Sequence, residues 1–290
     1  MSNSNGTKLK NYLSLVKFSH TIFAMPFAFI GFFLAYKLNP SNANWILLGL
    51  VVLCMVFARN AAMSFNRVVD RFIDKKNPRT SEREIPKGVI SAKSALLFTI
   101  LNSILFILTT WFINRLVFFL SPVALFVILL YSFTKRWTIL CHLVLGLGLS
   151  LAPIGAYLSV TGRFDIVPIL YALIVLFWVS GFDIIYSLQD ELFDKTESLK
   201  SIPAAIGRKN ALWVASAFHV VAALTVLWVG LKIEANIWYW SGAIIFITLL
   251  VYQHSIISPK DIKRVNLAFM TTNGIASIVF AIFNIINFLL

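Results

Sequence analysis

Nine mostly apolar stretches, each near the length that a helix needs to cross a bilayer, constrain this chain more than any other feature. They run roughly over 19–38, 45–65, 95–114, 116–133, 139–160, 165–187, 211–231, 237–254 and 267–289. About 20 such residues span the hydrocarbon core. The first stretch contains Pro26 and has no small-x-small cleavage site before the next, so it reads as an anchor and not as a signal peptide. With 59% hydrophobic and 13% charged residues, the composition excludes a disordered chain and argues against a soluble enzyme.

The segments between the stretches set a direction. Of the 25 Lys and Arg residues, 20 fall in the N-terminus and the loops after spans two, four, six and eight, four in or at the edge of the alternate loops (Lys37 ends span one), and Arg59 lies within span two. The positive-inside rule expects such alternation, and a miscounted span would scramble it. The N-terminus is therefore expected in the cytoplasm and the C-terminus outside, in a cell (inner) membrane protein. The net charge of +13 then points to anionic lipid and an anionic substrate, not to nucleic acid. Cys54 and Cys141 sit in apolar stretches and offer no disulfide framework.

Nine of the twelve acids cluster on the expected cytoplasmic side: Asp70, Asp74, Glu82 and Glu84 after span two, and Asp183, Asp190, Glu191, Asp194 and Glu197 around the end of span six. Acids at a membrane are costly and usually functional. Asn66, Asp70 and Asp74 recur every four residues, so on a helix they share an arc of about 80°, with Arg59 in the same arc. Asp183, Tyr186, Asp190 and Asp194 fall in a similar arc, of about 80°, if one continuous helix carries them. Such faces suit a hard divalent cation, and Mg²⁺ favours carboxylate, water and substrate phosphate over an all-protein cage. The four histidines, His20, His142, His219 and His254, read as isolated, with no zinc spacing. Arg67, Arg71, Lys75, Arg79, Arg83, Lys135, Arg136 and Lys195 crowd the same side. Carboxylates among cations describe a metal–diphosphate site. The two segments also echo each other: Asp-x-x-x-Asp-Lys, then Ile-Pro, then Gly88 or Gly207.

On these residues the chain resembles the UbiA superfamily of intramembrane aromatic prenyltransferases over essentially its whole length. Asn66/Asp70/Asp74 match the family's first motif, and Asp183/Tyr186/Asp190/Asp194 its Asp-rich second motif. The loop Asn77–Gly88, Tyr131–Thr138 and Ser201–Gly207 are also similar to family segments, and Val16–Gly31 resembles the 4-hydroxybenzoate polyprenyltransferase branch. The resemblance implies one all-α domain over 1–290, with nine transmembrane helices around a central cavity and a cytoplasmic helical cap. It implies Mg²⁺-dependent transfer of a polyprenyl group from polyprenyl diphosphate to a small aromatic acceptor, 4-hydroxybenzoate first, with 6-amino-6-deoxyfutalosine or dihydroxynaphthoate as the alternative. The implied metal ligands are Asn66, Asp70, Asp74, Asp190 and Asp194, with Asp183 supporting them and Tyr186 orienting a phosphate or carboxylate. Arg67, Arg71, Arg79, Lys135 and Arg136 are expected at the diphosphate. Arg59, two turns deeper than Asn66, is expected to meet the acceptor's carboxylate. A transporter would place its charges nearer the bilayer midplane, and the Asp-Gly-x-x-Ala-Arg motif of CDP-alcohol phosphotransferases is missing.

Overall fold

A computed structural model describes residues 10–16 and 23–290. Among them there is helix and no strand. The long helices are α1 (Met25–Leu38), α2 (Trp45–Lys76), α3 (Ala92–Trp111), α4 (Arg115–Trp137), α5 (Cys141–Thr161) and α6 (Ile166–Ser187). A 3₁₀ turn (Leu188–Asp190) leads to the short α7 (Glu191–Thr196). Then come α8 (Ile202–Lys232), α9 (Ile237–Ser255), a π-helical turn (Leu267–Thr272) and α10 (Asn273–Leu289). Seven of the helices among the described residues are long and apolar enough to cross a membrane. The two other expected spans fall short of that measure. α1 has 14 residues, and residues 19–22 of its expected span, with His20, lie outside the described residues. α9 carries Trp238, Tyr239, Trp240, Gln253 and His254 toward its ends, which lowers its hydropathy.

Side-chain caps fix several starts: Asn44, Asn114 and Asp165 each accept a backbone N–H from the first turn of α2, α4 and α6. The most enclosed helix is α6, with Leu170, Tyr171, Ile174, Val175, Trp178, Val179 and Phe182 all buried. It packs between α5 and α8, while α1 closes against α5 and α10. The approach of α5 to α6 needs Gly146, because a Cβ there would stand 2.5 Å from both the Leu176 carbonyl oxygen and Ser180 Oγ. Outward faces stay apolar, with Trp45, Phe119 and Trp213 among many exposed large side chains, as lipid contact requires.

Two features position the site. The first is the length of α2. Its 32 residues make about 48 Å at 1.5 Å per residue, against a hydrocarbon core of about 30 Å. Its final turns therefore stand beyond the apolar layer, and Asn66, Asp70 and Asp74 are on them. The second is a break after α6. The sequence pattern assumes one helix from Asp183 to Asp194, but the α-helix ends at Ser187 and resumes at Glu191 after the 3₁₀ turn. The winding is tighter there, so the second segment is interrupted where the first is one unbroken α-helix. The chain then enters α8 at Ile202, nine residues before the apolar stretch starts, and bends at Gly207 (φ 75°, ψ 165°).

Candidate active site

Asp70 and Asp74 point inward from α2, each only 3% exposed. Asp70 is held from two elements. Asn66 Nδ2 donates to its Oδ2 at 3.1 Å, and at the end of α4 Lys135 Nζ and Arg136 Nη2 reach its two oxygens at 2.7 and 2.9 Å. Arg136 is itself oriented by the Ser132 and Val69 carbonyls. Asp74 Oδ1 accepts from Arg83 Nη1 at 2.7 Å, while its buried Oδ2 has no hydrogen-bond partner. Arg67 is buried beside these groups, with Asp74, Arg83, Glu84 and Tyr131 as charged or polar neighbours.

The loop after α2 carries the first segment to the second. Arg79 Nε donates to Asp190 Oδ1 at 2.9 Å and Nη2 to Oδ2, a two-point grip, and Nη1 donates to Tyr186 Oη at 3.0 Å. Asn77 Nδ2 adds a bond to Asp190 at 3.0 Å. Burial disfavours the Arg79 charge, but the bonds and charge of Asp190, helped by Tyr186 and Asp74, outweigh it and raise the guanidinium above its usual value. Asp194 Oδ2 accepts from Ser201 Oγ at 2.7 Å and has Asp190 and Lys135 as charge neighbours. Lys135 thus stands between the two segments. Asp183 Oδ2 bonds His142 Nδ1 at 2.6 Å.

Beneath this cluster, α2, α3, α4 and α5 enclose a cavity of about 220 Å³. Small side chains make the room: Ala58, Ala62, Ala124, Gly148, Ala152 and Gly155 line it. Its wall is mostly hydrocarbon, with Arg59 and Tyr131 as its strongest polar groups. Tyr131, on the cavity wall, has Arg59, Arg67, Asp70 and Asp183 as charged neighbours, so the acids lie close to that part of the wall. The arrangement can hold an anionic head among cations and carboxylates with an apolar group below.

Most of the expected site residues gather here. Arg71 does not: one residue on from Asp70, it is turned about 100° around the helix, bonds the Val68 carbonyl and lies over the Phe72 ring. The histidines are not all isolated either. His219 Nδ1 and His254 Nε2 are 2.9 Å apart between α8 and α9, a pairing that 35 residues of separation hide. Asn77, Arg83, His142 and Ser201 hold acids, yet spacing alone singles out none of them as partners. Among the described residues, no three His, Cys, Asp or Glu side chains form a self-sufficient metal cage.

Comparisons with known proteins give the chain's relatives in sequence and in fold. The UbiA prenyltransferase family matches residues 24–275. The chain is 28% identical to a 4-hydroxybenzoate octaprenyltransferase of Nitrosomonas europaea, over 81% of this chain and 80% of that one. It is 30% identical to one of Aliivibrio fischeri, over 82% of each. A UbiA homolog from Aeropyrum pernix superposes with a TM-score of 0.79 at 27% identity, over 91% of this chain and 95% of that chain. One from Archaeoglobus fulgidus bound to DMAPP and Mg²⁺ superposes with a TM-score of 0.77 at 22% identity, over 97% and 99%.

Proposed function

The chain belongs to the UbiA prenyltransferase family, and from that premise we propose that it transfers a polyprenyl group from polyprenyl diphosphate to 4-hydroxybenzoate. The observation that carries this reading is the meeting of the two acidic segments, through Arg79 and Lys135, above an apolar cavity that contains Arg59. The chain acts as one domain over 1–290, a multi-pass membrane protein. Nine helices cross the inner membrane, the N-terminus and the acidic cap lie in the cytoplasm, and the C-terminus lies outside.

The donor set fits Mg²⁺. It is built of carboxylate and amide oxygens. It leaves the buried Asp74 Oδ2 without a hydrogen-bond partner, and it lacks a closed cage, as expected where substrate phosphate completes the coordination. Asp70, Asp74, Asp190 and Asp194 would hold the ion, with Asn66 and Asp183 in support. When bound, Mg²⁺ neutralises charge on the diphosphate and favours its departure.

The remaining work falls to the chain. Lys135, Arg136 and Arg79, with Arg67 beneath, stabilise negative charge as it builds on the leaving diphosphate. Tyr186 donates its phenol proton to a diphosphate oxygen. The allylic C–O bond breaks, and the carbocation left behind is shielded from water by the hydrocarbon walls. Arg59 holds the benzoate carboxylate so that the electron-rich ring carbon faces the cation. That carbon forms the new C–C bond, and its proton passes to the departed diphosphate.

Purified protein supplied with Mg²⁺, a polyprenyl diphosphate and 4-hydroxybenzoate should yield the prenylated acid by mass spectrometry. Product from 6-amino-6-deoxyfutalosine or dihydroxynaphthoate, with none from 4-hydroxybenzoate, would overturn the acceptor assignment.

A further inference from the structure

Tyr186 is the penultimate residue of α6, where the helix gives way to a 3₁₀ turn. Last turns fray, so a ring placed there is held firmly only if another element packs on it. Phe269 does so. Its ring stacks on Tyr186 with centroids 4.1 Å apart and planes 28° apart. Phe269 is itself wedged, near edge-on to Phe23 at 5.3 Å and to Phe182 at 5.5 Å.

Phe269 lies in the π-helical turn Leu267–Thr272. Such a turn holds an extra residue, rotates its side chains relative to an unbroken α-helix, and recurs at functional sites. Asn273 fastens it. Its Nδ2 donates to the carbonyls of Ala268 and Phe269 at 3.1 and 3.0 Å. Its Oδ1 accepts from Trp178 Nε1 at 2.9 Å and from Gln253 Nε2 at 2.7 Å. Trp178, Gln253 and Asn273 are all fully buried. Polar groups in an apolar bundle are costly unless bonded, and these bonds converge on this turn. Trp178 is also on α6, eight residues before Tyr186. The helix that presents Tyr186 therefore fixes, through Asn273, the turn that holds Phe269.

We propose that Phe269 is a positioning residue, which by stacking on Tyr186 aims the phenol at the diphosphate of the prenyl substrate. The proposal rests on the role given to Tyr186 above. Arg79 donates to the phenol oxygen, so that bond leaves the phenol proton free for an anionic oxygen.

A double-mutant cycle on the full-length protein tests this. It reads geranyl diphosphate binding by calorimetry in Mg²⁺ buffer, and the KM for each substrate. A stacked pair contributes enough that Phe269→Leu should weaken geranyl diphosphate about three- to tenfold and leave the KM of the acceptor unchanged. Phe269→Tyr, which keeps the ring, should restore binding to within about twofold of wild type. In a Tyr186→Phe background, Phe269→Leu should cost less than about twofold more. An equal loss in both backgrounds would overturn the proposal, because Phe269 would then act independently of Tyr186. Wild-type binding by Tyr186→Phe alone would instead remove the role of Tyr186, and the proposal with it. If Phe269→Leu fails to fold, Phe269→Met removes the ring while filling the space, and the cycle runs on that variant.

Discussion

Asp70 is bonded by Asn66, Lys135 and Arg136, and Asp190 by Arg79 and Asn77, so each acid is fixed in direction before any ligand arrives. Fixed charge of this kind needs no reorganisation as the leaving group develops its own. Asp70→Asn and Asp190→Asn should each lower kcat by at least about 100-fold while melting close to wild type. The cations left behind, Lys135, Arg136 and Arg79, are 30%, 27% and 31% exposed and can turn to water. Paired rate and thermal-unfolding measurements check this, and a near-normal rate in either variant would contradict it. Arg59 lines the cavity and is proposed to meet the acceptor. Arg59→Ala should raise the KM for the aromatic acid roughly tenfold and leave that for the prenyl diphosphate unchanged; the reverse split in steady-state kinetics would move Arg59 to the diphosphate. At this scale the sequence was readable where residues recur on one helix, as Asn66, Asp70 and Asp74 do. It was silent where partners come from other elements: Arg83 on Asp74, Ser201 on Asp194, His142 on Asp183 and Phe269 on Tyr186 depend on packing that no local spacing encodes.

Among the elements, the breaks matter more than the helices. The apolar stretches gave the cores of the spans, but polar side chains hid where helices continue. α2 runs through Asn66–Lys76 because Arg67, Arg71, Lys75 and Lys76 are good helix formers and Lys75 and Lys76 complement the dipole at its C-terminal end. α8 starts at Ile202 because Ser201 accepts from Ala204 N–H and Pro203 suits a first turn, although Arg208, Lys209 and Asn210 interrupt the hydropathy. The bend within α8 rests on Gly207, whose φ of 75° and ψ of 165° belong to a region essentially reserved for glycine. A Cβ there meets nothing within 4 Å, so the cost of Gly207→Ala is conformational, about 1–3 kcal/mol. Denaturant unfolding should show that loss, and an unchanged midpoint would mean that the bend relaxes without strain. The echo between the two Asp segments was legible as letters only. Gly88 and Gly207 do share φ of 75°, but one acidic segment is an unbroken α-helix and the other is interrupted by a 3₁₀ turn.

On the scale of the molecule, charge and apolar space are sorted to different depths. The carboxylates of the two acidic segments, with the Arg and Lys side chains that bond them, gather at one end of the bundle, and the cavity of about 220 Å³ lies within the helices. That sorting was legible from loop charge, because Lys and Arg placement follows membrane orientation; the cavity was not, because the alanines and glycines that open it look like ordinary helix formers or breakers in the sequence. The orientation has its own check. Single cysteines introduced at exposed positions of residues 66–94 should react with a membrane-impermeant thiol reagent only from the cytoplasmic side, and labelling from outside would reverse the topology. Both acidic segments are proposed to act together, through Mg²⁺, on one diphosphate. The most direct test is a calorimetric titration of geranyl diphosphate into wild type, Asp70→Asn and Asp190→Asn, each with Mg²⁺ and with chelator. Binding should require Mg²⁺ in the wild type and be lost in both variants. Binding that is independent of Mg²⁺, or that survives in either variant, would contradict it.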